Sequence, residues 1–145
     1  MNARNYVIPA MSVLSMGMTT ACGNPVVGDW GLTNVTYGSY STDYPYTYTY
    51  TAGDGTVYNL VIDYRMLIDS DLSGDFVGSY TYTIGSGDPE VYTYTYGLTV
   101  TETASKTYDI VIDWGEGDTL DMGCTIDGAA MACTDPDGAQ LSWAQ

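Results

Sequence analysis

From residue 28 onward the chain alternates with a period of two. Tyr44-Pro-Tyr-Thr-Tyr-Thr-Tyr50, Tyr80-Thr-Tyr-Thr-Ile84 and Tyr92-Thr-Tyr-Thr-Tyr96 place an aromatic or branched apolar side chain at nearly every second position. That spacing is the signature of a strand, whose successive side chains point to opposite faces. Two further segments show which face is buried. In Tyr58–Tyr64, residues Tyr58, Leu60, Ile62 and Tyr64 share one face, and Asn59 and Asp63 share the other. In Tyr108–Trp114, Tyr108, Ile110, Ile112 and Trp114 line up opposite Asp109 and Asp113. Tyr travels with the aliphatics and Thr with the carboxylates, so the tyrosine face is the inner one.

The pattern predicts strands at 28–37, 44–51, 56–66, 75–84, 90–102, 106–114, 118–127, 130–134 and 139–144. Turn-forming runs separate them, among them Gly53-Asp-Gly55, Gly85-Ser-Gly-Asp-Pro89, Gly115-Glu-Gly-Asp118 and Asp135-Pro-Asp-Gly138. Connections this short favour antiparallel pairing of neighbours. The expected fold is all-β, an antiparallel up-and-down meander barrel of 8–9 strands, with a β-sandwich as the alternative. The weakly specified register of the Tyr-Thr strands also leaves room for pairing between chains.

The two C-terminal cysteines fit this scheme. If Gly128-Ala129 forms a two-residue loop with Gly first, as a type II′ turn prefers, Asp127 faces Ala130 and Cys124 faces Cys133. They then form a non-hydrogen-bonded pair, the closer of the two pair types, which suits a cross-strand disulfide. A loop centred on Asp127-Gly128 would pull them out of opposition. Two thiols in a chain with no His cannot supply the usual zinc ligand set.

The N-terminus has a different character. A charged start (Met1 to Arg4), a mostly apolar stretch (Tyr6 to Met18) and the small residues Thr19-Thr20-Ala21 lead to Cys22. This order resembles the signal peptide and lipobox of bacterial lipoproteins. The resemblance implies removal of residues 1–21 and acylation of Cys22 with fatty-acyl chains such as palmitate. It also implies an outer-membrane destination, because Gly23 stands where Asp would favour retention at the inner membrane. The apolar stretch is too short to span a bilayer. The expected organisation is a signal peptide at 1–21, a lipidated tether at 22–27 and one β domain at 28–145.

Composition narrows the partners. The chain holds 18 carboxylates against 3 basic side chains, for a net charge of −15. Beyond the signal the basic residues are Arg65 and Lys106. Such a surface repels nucleic acid and anionic lipid headgroups, which leaves a lipid anchor as the expected link to a membrane. A monomer is expected.

Gly28-Asp29-Trp30 opens the first strand and resembles the Gly-x-Trp at the start of the lipocalin barrel. The resemblance implies a barrel that binds or carries a small hydrophobic or aromatic ligand. Trp30, Tyr46, Tyr48, Tyr50, Tyr80, Tyr82, Tyr94 and Tyr96 are then the candidate lining. The competing reading is a filled core, with the hydroxyls at the rim or bonded to backbone, in a structural or interaction module of the outer surface.

Asp69-Ser-Asp-Leu-Ser-Gly-Asp75 resembles the first half of an Asp-x-Asp-x-Ser-Gly calcium loop, with Asp69, Asp71, Ser73 and Asp75 as candidate ligands. The alternative is a solvated inter-strand loop. With no His, no glycine-rich phosphate loop carrying Lys, and both mature-chain thiols paired, no enzyme chemistry is expected. No cofactor is expected either.

Overall fold

A computed structural model describes residues 23–145; Cys22 and the signal-like segment before it lie outside the described residues. Ten strands follow in order: β1 Gly28–Tyr37, β2 Tyr40–Asp43, β3 Tyr46–Thr51, β4 Val57–Ile68, β5 Ser73–Ile84, β6 Glu90–Ala104, β7 Thr107–Gly115, β8 Asp118–Asp127, β9 Ala130–Thr134 and β10 Gln140–Ala144. From β4 to β10 each strand pairs antiparallel with the next, and β10 returns to β1. The circle closes where Gly28–Gly31 of β1 pairs with Arg65–Ile68 of β4. The result is an eight-stranded antiparallel meander barrel, as the alternation predicts, with β2 and β3 as additional strands.

The β1–β4 seam is short. Beyond it the two strands diverge. The second half of β1 pairs with β2, and the first half of β4 pairs with β3. The sequence predicts a strand over 44–51, which starts at Tyr46, after Pro45, and β2 at Tyr40–Asp43 is a further strand ahead of it. Proline lacks an N–H and cannot continue a ladder.

At that level β1 also carries a bulge between Leu32 and Asn34. The bulge switches the inward phase, so that Leu32 and then Val35 face the core. It frees the Thr33 carbonyl to accept the Tyr44 amide at 2.9 Å, which pins Tyr44 at the same end of the barrel.

Inward positions are apolar throughout the barrel proper, from Trp30, Met66 and Phe76 through Tyr108, Ile110 and Ile112 to Met131 and Trp143. Outward positions include Asp29, Asp75, Asp109, Asp113 and Asp121. That polarity is the reverse of a lipid-facing barrel and calls for water outside. Across the seam, the Arg65 guanidinium pairs with the Asp29 carboxylate on the exposed outer surface.

The disulfide forms as the hairpin register requires. Asp127 pairs with Ala130, Ile126 with Met131, Thr125 with Ala132 and Cys124 with Cys133. The two cysteines are bonded, their Cα atoms lie 4.0 Å apart, and both are buried. Gly128 has φ of 62° and Ala129 stays out of the positive region, the arrangement of a type II′ turn.

One end of the barrel is sealed by residues expected to form a tether. Val26 is fully buried against the core. Its carbonyl accepts the Trp30 indole N–H at 2.8 Å. Asn24 Oδ1 accepts the Tyr108 hydroxyl at 2.7 Å and the Val26 amide at 3.2 Å. The segment from Asn24 to Val27 is therefore a plug belonging to the barrel, because its apolar side chain and its polar groups find their partners inside.

A candidate ligand site at the open end

The other end is open. Here the strand lengths are unequal. β4, β5 and β6 run for 12, 12 and 15 residues, while β9 and β10 have 5 each. β6 meets β7 only from Gly97 onward, so Glu90–Tyr96 pairs on one side alone, with β5. The first part of β4, the second part of β5 and the first part of β6 join β3 in a four-stranded blade that rises past the short wall.

A cavity of about 130 Å³ lies at the foot of this blade. Its lining comes from six strands of the barrel and from the β2–β3 link: Leu32 and Val35 of β1, Tyr64 and Phe76 of β4 and β5, Ile112, Leu120 and Met122 of β7 and β8, Leu141 and Trp143 of β10, and Tyr44. The chemistry is almost wholly apolar, with two phenols beside it.

An aromatic series leads out of it. Phe76 packs on Tyr64 at 5.7 Å between ring centroids, Tyr64 on Tyr44 at 5.5 Å, and Tyr44 on Tyr46 at 6.5 Å. A second line runs from Phe76 through Trp114 and Tyr96 to Tyr94 and Tyr80.

The Tyr80 and Tyr94 hydroxyls approach to 3.4 Å. Burial raises the Tyr94 phenol far above its ordinary value, and the hydrogen bonds with Tyr80 and Tyr64 add to the shift. Burial also raises Tyr64, against an opposing hydrogen bond from Tyr94. Gly78 makes this cluster possible. A Cβ there would come within 2.6 Å of Tyr94 Cε2, so the ring lies where a side chain would otherwise stand.

The expected site residues fall in three places. Tyr46, Tyr48, Tyr50, Tyr80, Tyr82, Tyr94 and Tyr96 do share one face, on the blade, but none lines the cavity. Tyr48 and Tyr50 are 51% and 52% exposed. The inner-face assignment therefore holds within the barrel and weakens along the blade, where no opposite wall covers the rings.

Trp30 does not line the cavity. It sits at the sealed end, fully buried, with its N–H satisfied by Val26.

The candidate calcium residues fall on the β4–β5 hairpin and the start of β5. Asp69 and Ser73 close a tight β4–β5 hairpin through the Asp69 amide and the Ser73 carbonyl at 2.8 Å. Asp71 turns its carboxylate onto the Ser73 amide and hydroxyl, at 3.1 and 2.7 Å, and these bonds hold it below the usual carboxylate range. Asp75 is already within the β5 ladder, opposite Leu67. Among the described residues no three acidic or thiol side chains gather as a metal site.

The lining residues that sequence reasoning did not single out are Tyr44, Leu141 and Trp143 above all. Leu141-Ser-Trp143 carries the alternation that marks both apolar residues as inward, but not the height at which they sit. No protein-family model, curated protein or solved structure matches the chain. The barrel stands on its own geometry.

Proposed function

We propose that the chain is a non-enzymatic, lipocalin-like binding barrel that holds a small hydrophobic or aromatic ligand and is lipid-anchored in the cell envelope, at the outer membrane. The observation that carries this reading is an apolar cavity open at one end of a barrel whose other end is sealed. Ligand pockets are concave and mostly apolar, with a few placed polar groups. At about 130 Å³ the cavity is near the size of one that holds a single benzene ring, of order 150 Å³, and below that of drug-sized sites. A ligand would seat one ring in the barrel and lay any remainder on the tyrosine face. No carboxylate or thiol lines the cavity, in keeping with binding rather than catalysis.

The anchor reading rests on the sequence up to Cys22. The described chain starts at Gly23, beside the plug, so acyl chains on Cys22 would hold the sealed end toward the bilayer and the mouth away from it.

A second reading, an interaction module of the outer surface, is favoured by the blade. β3 is exposed along its whole length, and among the described residues its outer edge is unpaired. Such edges recruit other strands.

Native mass spectrometry on protein released gently from its own membranes separates these. A mass that begins at acylated Cys22 and carries a defined small-molecule adduct is the expected result. The lipidated mass without an adduct, across extraction conditions, would turn the conclusion to the surface module. An intact Met1 without lipid would overturn the anchor.

A further inference from the structure

The inner face of the blade carries a single charge. Every second residue of β3 and of the blade portions of β4, β5 and β6 points to that face. These residues are tyrosine, leucine and isoleucine, except at Gly78 and Glu90. Glu90 stands directly across from Tyr82. The Tyr92 hydroxyl donates to Glu90 Oε2 at 2.7 Å, which fixes the carboxylate on the aromatic side of the strand. That bond, and then the Glu90 charge, hold the Tyr92 phenol above its ordinary value. Glu90 and Tyr92 are exposed and Tyr82 is half-buried, so a ligand can reach the group as the side chains stand.

We infer that the ligand is a cationic single-chain amphiphile: its apolar tail enters the cavity, and an organic ammonium head lies over the Tyr82 and Tyr92 rings beside the Glu90 carboxylate. The inference rests on the reading of the cavity as a ligand site.

Apolar ground joins the two parts. Tyr64, at the cavity, is level with Gly78 and Tyr94, and Glu90 lies farther out along β6. At ~3.3 Å per residue the step from Tyr94 to Glu90 is roughly 13 Å, a span for an alkyl stem. Tyr80 and Tyr92, paired directly across β5 and β6, stand between. Tyr82 also ends a row of near-parallel rings. Tyr58 stacks on it at 6.0 Å and 30°, and Tyr50 meets Tyr58 at 6.2 Å and 33°. The face of such a ring attracts a cation through its quadrupole.

Charge sets the sign of the head. Each hairpin turn at the open end carries acid: Asp54, Asp88, Glu116 and Asp137. The described basic residues lie elsewhere. Arg65 is held by Asp29 on the outer surface, and Lys106 sits in the β6–β7 turn at the sealed end. An anionic head would meet a protein of net charge −15 with no cation at the mouth to receive it. A neutral head would gain nothing from the Glu90 charge.

The test uses the full chain and three probes that share a decyl tail: decyltrimethylammonium, the neutral decyldimethylphosphine oxide of like shape, and decyl sulfate. Each is titrated by calorimetry below its micelle threshold. A ring face and a carboxylate at an exposed site should favour the cationic probe over the neutral one by roughly five- to tenfold. Decyl sulfate should bind weakest. Glu90→Gln should lower the preference for the cation by roughly threefold. Asp121→Asn, which removes one charge from the exposed outer surface, should leave that preference whole.

Equal binding of the cationic probe and either of the others would overturn this inference and leave the cavity as an apolar ligand site. A preference for the cation that Glu90→Gln leaves whole, or that Asp121→Asn lowers as much, would do the same, since it would reflect net charge alone. Binding of none of the three would overturn the ligand-site reading and this inference with it.

Discussion

Asn24→Ala tests whether the first described residues are a plug or a tether. In the wild type, Asn24 Oδ1 accepts the hydroxyl of Tyr108, a fully buried residue, and the amide of Val26. Removing the side chain strands the Tyr108 hydroxyl, at a cost of about 1–3 kcal/mol for an unsatisfied buried group. The Val26 amide loses its partner too, but it is near the surface and recovers part of that loss from water. A total of about 2 kcal/mol is expected. For a domain of this size that lowers Tm by roughly 6–10 °C.

Tyr108→Phe removes the donor instead. Asn24 keeps Val26 and water, so the cost falls to about 1 kcal/mol. The two residues share one bond, so the double variant should be no worse than Asn24→Ala alone, a coupling of about 1 kcal/mol. Thermal melts followed by far-UV circular dichroism, checked for two-state behaviour, read all four proteins. An Asn24→Ala protein melting within about 1 °C of wild type would refute the plug, since a free tether loses nothing with that side chain. Additive single costs would show that the Tyr108–Asn24 bond does not hold it.

Glycine substitutions should separate two kinds of close approach. At Gly74 a Cβ would overlap the Leu67 carbonyl oxygen and reach Ile68 Cα at 3.1 Å, so Gly74→Ala must part β4 from β5 and should cost about 3 kcal/mol or more in a urea melt. Gly78→Ala meets the far end of Tyr94, which can swing away, so about 1 kcal/mol is expected, with a change in near-UV circular dichroism from the displaced tyrosine.

Stability should fall in alkali. Tyr64, Tyr94 and Tyr108 are each raised in the folded state, Tyr108 by burial and then by the Glu102 charge. The unfolded chain therefore ionises first, and the stabilisation is complete below the ordinary tyrosine value of 10.0 and lost as pH climbs above it. Melts from pH 8 to 12 should show this drop, and Tyr108→Phe should lessen it.

Replacing Cys124 and Cys133 together by Ala should cost roughly 2–3 kcal/mol from loop closure alone, read as a lower urea midpoint. A midpoint unchanged from wild type would show that the cross-link contributes nothing.

What the sequence makes legible is what local alternation determines. The inward phase of β4 through β8, the order of the meander and the pairing of Cys124 with Cys133 all follow from neighbours a few residues apart. Non-local features do not. The β1–β4 seam joins segments separated by the whole β2–β3 excursion, and no pattern in Gly28–Gly31 names Arg65–Ile68 as its partner. β2, Tyr-Ser-Thr-Asp, has no apolar alternation and exists because the diverging half of β1 leaves a ladder open.

The candidate site is less legible still. Alternation tells which face Tyr48 and Tyr82 occupy, but not that their strands outrun β9 and β10. Trp143 reads as inward from Leu141-Ser-Trp143, while its indole N–H having no hydrogen-bond partner among the described residues is a property of the assembled barrel. The Asp69–Asp75 spacing does not show that the segment folds as a short hairpin in which Asp71 bonds the Ser73 amide and hydroxyl.

The excess of tyrosine over phenylalanine follows from the unequal walls. Along β6 the inward residues pass from Tyr92, 58% exposed, through half-buried Tyr94 and Tyr96, to Leu98 at 3% and Val100 at 6%. Along β5 the single phenylalanine of the chain, Phe76, lies within the core, and Tyr80 and Tyr82 lie above it. A tall strand carries its inner face from a dry level to a wet one, and tyrosine suits the crossing because its ring packs while its hydroxyl meets water. Longer β9 and β10 strands would cover the blade and strand those hydroxyls; shorter β4 to β6 strands would remove the shelf beside the mouth. The tyrosine run and the open cavity are thus two consequences of one mismatch in strand length, and a ligand entering the cavity, as proposed, would meet that graded surface first.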